Sequence, residues 1–170
     1  MAAPSPVIRD VGTDDFDAIA AIYAHYVADT DISFETRVPD ACELRRRAAE
    51  VPHGLYIVAE THGSVVGYAY AHPWKERAAY AATLETTVYV DGSFTGRGIG
   101  RVLMSELVER CRSHGSVHAL IACITATNTT SRRLHERLGF TQVSHFKAVG
   151  RKGGDWLDVV DYELIVGENS

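Results

Sequence analysis

The sequence predicts one α/β domain spanning residues 1–170, built on a mixed (α+β) sheet with the element order β-α-α-β-β-β-α-β-α-β-β. Three observations carry that expectation. The middle of the chain holds three β-rich runs, Leu55 to Glu60, Val65 to Ala71 and Thr83 to Val90. On either side of that middle, apolar residues recur at three- and four-residue steps, the helical period. No internal repeat, low-complexity tract or Pro/Gly/Ser linker divides the chain.

The elements follow in order. Val7 to Val11 reads as a short first strand. Thr13 is placed as an N-cap, with Asp14, Asp15 and Asp17 near the positive end of a helix that carries Phe16, Ile19, Ile22, Tyr23 and Tyr26. A second helix starts after Pro39, with Asp40 as cap and Glu43 as capping-box partner. His62-Gly63-Ser64 joins the first two central runs as a hairpin. A helix from Gly98 to His114 puts Ile99, Val102, Leu103, Leu107 and Cys111 on one face and stops at Gly115. His118 to Thr125 is the next strand and Ser131 to Arg137 a short helix. Strand returns at Phe140, and Gly153-Gly154 turns the last hairpin before Trp156 to Ile165.

Composition narrows the function. The 170 residues suit one core, and 46% apolar with 23% charged residues is an ordinary globular balance. A formal net charge of −5 argues against a nucleic-acid binder, which needs a basic face for phosphates. Met1-Ala2-Ala3-Pro4-Ser5-Pro6 lacks the basic and apolar regions of a signal peptide. No apolar run reaches the roughly 18 residues of a membrane span. Cys42, Cys111 and Cys123 are odd in number and form no C-x-x-C, so neither a disulfide framework nor a zinc site is expected. A cytoplasmic protein with no membrane partner fits these features.

The most informative stretch runs from Val88 to Arg101, where a β-branched strand enters a glycine-rich loop that opens a helix. Free N–H groups at a helix start form an anion site, glycines let phosphate oxygens approach, and Arg97 and Arg101 add charge. A pyrophosphate is the predicted ligand; a glycine turn that merely starts a helix is the bland alternative. Arg101-Val102 lacks the Lys-Ser/Thr of a Walker A loop, and Arg101 or Leu103 stands where a dinucleotide fingerprint needs its third glycine.

Thr95-Gly96-Arg97-Gly98-Ile99-Gly100 resembles motif A of the GNAT superfamily of N-acetyltransferases, with Thr where that family carries Arg or Gln. Trp74 to Tyr80, Leu84 to Val90, Leu134 to Phe140, Ser33 to Arg37 and Gly153 to Val159 resemble its phosphinothricin/methionine sulfoximine acetyltransferase branch. The resemblance implies a GNAT-like fold, acetyl-CoA as co-substrate, no metal and a homodimer. It also implies a small amine acceptor of the amino acid analogue type, hence herbicide resistance. Val88, Tyr89 and Val90 would pair with the pantetheine arm, and Gly96, Arg97, Gly98, Ile99, Gly100 and Arg101 would hold the pyrophosphate. An acceptor on a protein N-terminus, a lysine or a polyamine stays open, as does a CoA-binding sensor without turnover.

Acetyl transfer needs a neutral amine, so a base is sought. Glu85 is the only charged residue between Ala78 and Val90 and shares a strand face with Thr87 and Tyr89. Burial there raises a carboxyl toward a useful range, a solvent-facing Glu being the alternative. The resemblance makes Glu85 the general base and brings His135 into the active-site region, although a lone helix histidine is more often structural. His135-Glu136 lacks the second His of a zinc helix. Lys75 and Arg77 suit an acidic group on the acceptor, and Phe34 and Trp74 suit apolar walls. Asn128 fits the family's loop near the cofactor, or is a turn former. Cys123 is expected to be a small core residue rather than a nucleophile.

Overall fold

A computed structural model describes residues 5–167, so the leader reading at positions 1–4 lies outside the described residues. The strands are β1 (Val7–Asp10), β2 (Tyr56–Thr61), β3 (Ser64–Pro73), β4 (Thr83–Val90), β5 (Ala119–Thr125), β6 (Thr141–Gln142), β7 (Phe146–Lys152) and β8 (Asp155–Ile165). The helices are α1 (Phe16–Asp29), α2 (Ala41–Ala48), α3 (Ile99–Ser113) and α4 (Thr129–Arg137). All eight strands form one sheet in the order β1-β2-β3-β4-β5-β8-β6, with β7 also paired to β8. Among the described residues only β4 and β5 run parallel, joined by the α3 crossover.

Local chemistry explains most boundaries. His62 (φ 51°) and Gly63 (φ 77°) form the two-residue turn between β2 and β3, both in the left-handed region that a twisted hairpin demands. Asp40 caps α2 by accepting from the Glu43 N–H at 2.8 Å, while the Glu43 carboxylate turns to Arg46 and Arg47 instead of closing a capping box. Thr13 is not the cap expected of it. It opens a 3₁₀ turn, and Asp15 does the capping: its carboxylate accepts from the Gly12 N–H at 2.6 Å and grips Arg9 at 2.7 Å. In α3, Val102 is exposed, and Met104 and Val108 complete the buried stripe with Leu103 and Leu107. Three strands rather than two follow α4, because the two-residue β6 has no periodicity to read.

The sheet has two unlike faces. Ile57, Ala69, Leu84, Leu120, Ala122 and Val160 point toward α3 in an aliphatic core with Leu103, Met104 and Leu107. Tyr56, Val58 and Tyr68 point the other way, toward Phe16, Ile19, Ile22 and Tyr23 of α1. No helix among the described residues is long and apolar enough to cross a membrane.

Candidate active site

Strands β4 and β5 part company halfway along. Their pairing covers Thr83–Ala119, Leu84–Leu120 and Glu85–Ile121 and then ends, while β4 stays bonded to β3 and β5 to β8. At the fork the Thr86 hydroxyl donates to the Ile121 carbonyl at 3.3 Å, filling the last bridging position. Thr83 O and Asp91 N both bond to the β3 side, so alternation turns the amides of Val88 and Val90 toward the opening. One wall of the cleft is therefore an unpaired strand edge. Tyr26 from α1 braces its far end, its hydroxyl donating to Val90 O at 2.6 Å.

The glycine-rich loop stands where that edge ends. Gly96 (φ 74°) and Gly98 (φ 81°) both adopt left-handed backbone, and Gly98 is the N-cap of α3. The first helical bond runs from Val102 N to Gly98 O, which leaves the amides of Ile99, Gly100 and Arg101 without helical acceptors. Such a concave run of N–H groups at a helix start suits phosphate oxygens. The residues thus fit a pyrophosphate lying across the loop with its chain continuing along the open edge of β4. Arg97 is exposed and lies over the Phe94 ring at 4.9 Å, while Arg101 borders a groove with Glu106 and Arg137 on the outer side of α3.

Glu85 sits at the fork, on the face away from α3. Cross-strand register sets His72 directly opposite it on β3, Tyr70 opposite Thr87, and Cys123 of β5 opposite Asp161 of β8. Burial pushes the Glu85 carboxyl above its ordinary value of 4.5; His72 and the Cys123 thiol pull it back, and Asp161 pushes it up again. Cys123 corrects the sequence expectation. It is exposed on this face rather than packed in the core, because Leu120, Ala122 and Ile124 take the inward positions of β5. Loss of hydration against the sheet, then Glu85 and Asp161, hold its thiol protonated, so it makes a poor nucleophile.

The segment between α1 and α2 roofs this face. Thr125 and Thr127 hydroxyls donate to the carbonyl and carboxylate of Asp31 at 2.8 and 2.9 Å, and Lys152 Nζ donates to Ser33 O at 2.5 Å. Phe34 lies across Gly150 so closely that a Cβ there would meet the ring at 2.1 Å. A cavity of about 230 Å³ opens beneath, lined by Tyr23, Tyr68, Tyr70, His72, Glu35 and Arg47 among others. Tyr23 bonds Ser33 at 2.8 Å and Glu35 at 3.0 Å, and burial pushes its hydroxyl up to about 12. Arg47 pairs with Glu35 at 2.5 Å.

The other expected site residues divide. Lys75 and Arg77 lie in the exposed loop that re-enters the sheet where Trp74 N bonds Thr83 O, two residues from Glu85 along β4. Lys75 Nζ sits 3.9 Å from the Trp74 ring, and Tyr80 meets that ring edge-on at 5.3 Å. Asn128 caps α4 by accepting from Ser131 N at 3.1 Å. His135 is not brought to Glu85. It is 3% exposed, its Nδ1 donates to the Ser131 carbonyl at 2.8 Å, and its ring packs edge-on against Phe140 of the α3-side core. Sequence reading missed Tyr23, Glu35, Arg47, Tyr70, His72 and Asp161. The alternation Tyr68-x-Tyr70-x-His72 could have revealed three groups on one strand face.

This fork, with a glycine-rich helix start at one end and a half-buried carboxyl at its vertex, defines an acyl-carrier cleft, and the chain belongs to the acetyltransferase (GNAT) family, whose model matches residues 19–140. Within that family its relatives are specific. A phosphinothricin N-acetyltransferase of Alcaligenes faecalis is 45% identical over 90% of this chain and 79% of its own. An L-methionine sulfoximine/L-methionine sulfone acetyltransferase of Pseudomonas paraeruginosa is 32% identical over 94% of each. The crystal structure of a phosphinothricin acetyltransferase from Sinorhizobium meliloti in complex with acetyl-CoA superposes with a TM-score of 0.92 at 34% identity, covering 98% of this chain and 91% of that one.

Proposed function

We propose that this single domain moves acetyl from acetyl-CoA directly to the amino group of a small amino acid analogue of the phosphinothricin or methionine sulfoximine/sulfone type. The observation that carries the reading is the raised Glu85 carboxyl at the vertex of the β4/β5 fork, in line with the α3 amides at the other end of β4. The amides of Ile99, Gly100 and Arg101 hold the pyrophosphate, and the free edge of Val88 to Val90 pairs with the pantetheine arm. An edge amide polarises the thioester carbonyl and stabilises the oxyanion. Glu85, directly or through water, takes a proton from the acceptor ammonium, and the freed lone pair attacks. Lys75 and Arg77 face the acceptor's acidic group, with Phe34 and Trp74 as apolar walls. The protonated Cys123 supports direct transfer over an acetyl-cysteine intermediate.

The test is thiol release from acetyl-CoA with phosphinothricin, methionine sulfoximine, methionine sulfone, ordinary amino acids, spermidine and a short peptide. Wild type should turn over only the amino acid analogues, and Glu85→Gln should lower kcat/KM by roughly 10²–10⁴-fold. Turnover of peptide or spermidine instead overturns the acceptor class; tight CoA binding with no turnover points to a sensor. Activity on phosphinothricin would make the chain a herbicide-resistance enzyme. Three free cysteines suit a reducing cytoplasm.

A homodimer completes the proposal. Its support is four large apolar side chains left exposed on the β6, β7 and β8 segments, Val143, Phe146, Val149 and Trp156, at 53%, 49%, 56% and 63%. Sedimentation velocity should give a dimer that Trp156→Asp weakens at least tenfold, and a wild-type monomer at micromolar concentration would refute it.

A further inference from the structure

We infer that His72 relays the proton from Glu85 to solvent, an assignment that rests on Glu85 being the base. The two residues are direct cross-strand partners on the same face of the β3/β4 pair, a position that sets Cβ atoms about 5 Å apart. The tautomer follows from one contact. His72 Nδ1 lies 3.0 Å from the Pro73 carbonyl, and a carbonyl only accepts, so Nδ1 carries the hydrogen. Nε2 is left with its lone pair, and the ring stands half-buried at the rim of the tyrosine-lined cavity, 5.8 Å from the Tyr70 ring.

The proton balance calls for such a group. An ammonium acceptor loses two protons on becoming an amide. Glu85 takes the first, and the nitrogen lone pair then forms the N–C bond. The C–S bond breaks with its electron pair going to sulfur, which takes the second proton and leaves as the CoA thiol. The first proton still rests on Glu85, which is half-buried at the fork and whose desolvation favours the protonated form. His72 Nε2 accepts it, and the imidazolium, at the cavity rim, releases it to bulk solvent. Groups facing the ring are Glu85 of β4 and Tyr70 of its own strand, with Cys123 and Asp161 beyond Glu85. Glu35, Arg47 and Glu50 line the same cavity from the α1–α2 side.

The test compares wild type, His72→Gln, His72→Ala and Glu85→Gln with acetyl-CoA and the fastest acceptor of the panel, across pH. His72→Gln should lower kcat at least tenfold, leave the acetyl-CoA Kd within twofold, and alter the pH profile of kcat. Added imidazole should restore His72→Ala several-fold. The relay is refuted if His72→Gln keeps wild-type kcat and pH profile, or if activity falls equally at every pH with no imidazole rescue. Full loss in Glu85→Gln beside a normal His72→Gln removes the relay alone, whereas an active Glu85→Gln removes both assignments.

Discussion

The α3 face and the α1/α2 face of this sheet are made by the same strands, one residue apart, yet they follow different rules. Toward α3 the strands present Ala, Leu, Ile and Val against Leu103, Met104 and Leu107, with Thr86 satisfied by a carbonyl at its margin. Toward α1 and α2 they present Tyr56, Tyr68, Tyr70, His72, Glu85 and Cys123, and packing there leaves a cavity of about 230 Å³. Burial on the first face supplies most of the apolar contribution to stability, about 25 cal/mol per Å² removed from water. That support lets the second face keep hydroxyls, an imidazole and a raised carboxyl side by side, an arrangement that adds little to folding. Stability and chemistry are divided between the sides of one sheet.

Substitutions on the two faces should therefore fail in different ways. The largest stability effect is expected for Leu103→Ala on the closed face. A fully buried leucine leaves a cavity there, costing about 2–5 kcal/mol, and calorimetry should show Tm falling by roughly 5–15 °C with acceptor KM unchanged. Tyr70→Phe on the open face should change stability by no more than about 1 kcal/mol while moving acceptor KM; equal stability losses at both sites would erase the distinction. Next comes Gly98→Val at the seam between the faces. Its φ of 81° strains a β-branched residue by about 1–2 kcal/mol, so the acetyl-CoA Kd from isothermal titration should rise at least tenfold. An unchanged Kd would remove the loop from cofactor binding.

The smallest effect concerns His135. Burial holds its imidazole below the ordinary 6.5, so between 6.5 and the folded value the unfolded chain binds more protons. There is no penalty above pH 6.5. Stability then falls as the pH drops below 6.5, by at most about 1.4 kcal/mol per unit, and levels off below the folded value. Urea titrations at pH 7 and pH 5 should show a smaller acid loss for His135→Gln than for wild type. Equal losses would mean that another group controls the acid limb.

Strong periodic signals survived the passage from sequence to structure. The Thr83–Val90 strand has the predicted bounds, and Gly98 begins its helix where the glycine pattern put it. These features are local, so their residues carry the information. Thr13 lost its cap because Arg9, four residues earlier, draws the Asp15 carboxylate onto the Gly12 amide, and a cap preference of about 1 kcal/mol does not resist that charge pair. The site was only half legible. Glu85 stands out as a charge in an uncharged strand, but Arg47, Asp161 and His72 reach it or its cavity through register and helix packing across long sequence separations. Cys123 was misplaced because a cysteine does not reveal which layer it enters until Leu120, Ala122 and Ile124 take the inward positions of β5.

Strand β8 contacts β5 along its whole length and also anchors β6 and β7. Among the described strands it comes after every other in chain order, so the far wall of the fork is built later than the β1–β4 side. A nascent polypeptide can complete the β1–β4 meander early, since those pairings are all between neighbours. The cleft needs a partner that lies far along the chain, because the β5 wall is held on its other side by β8, so its formation depends on a long-range pairing that the meander does not require.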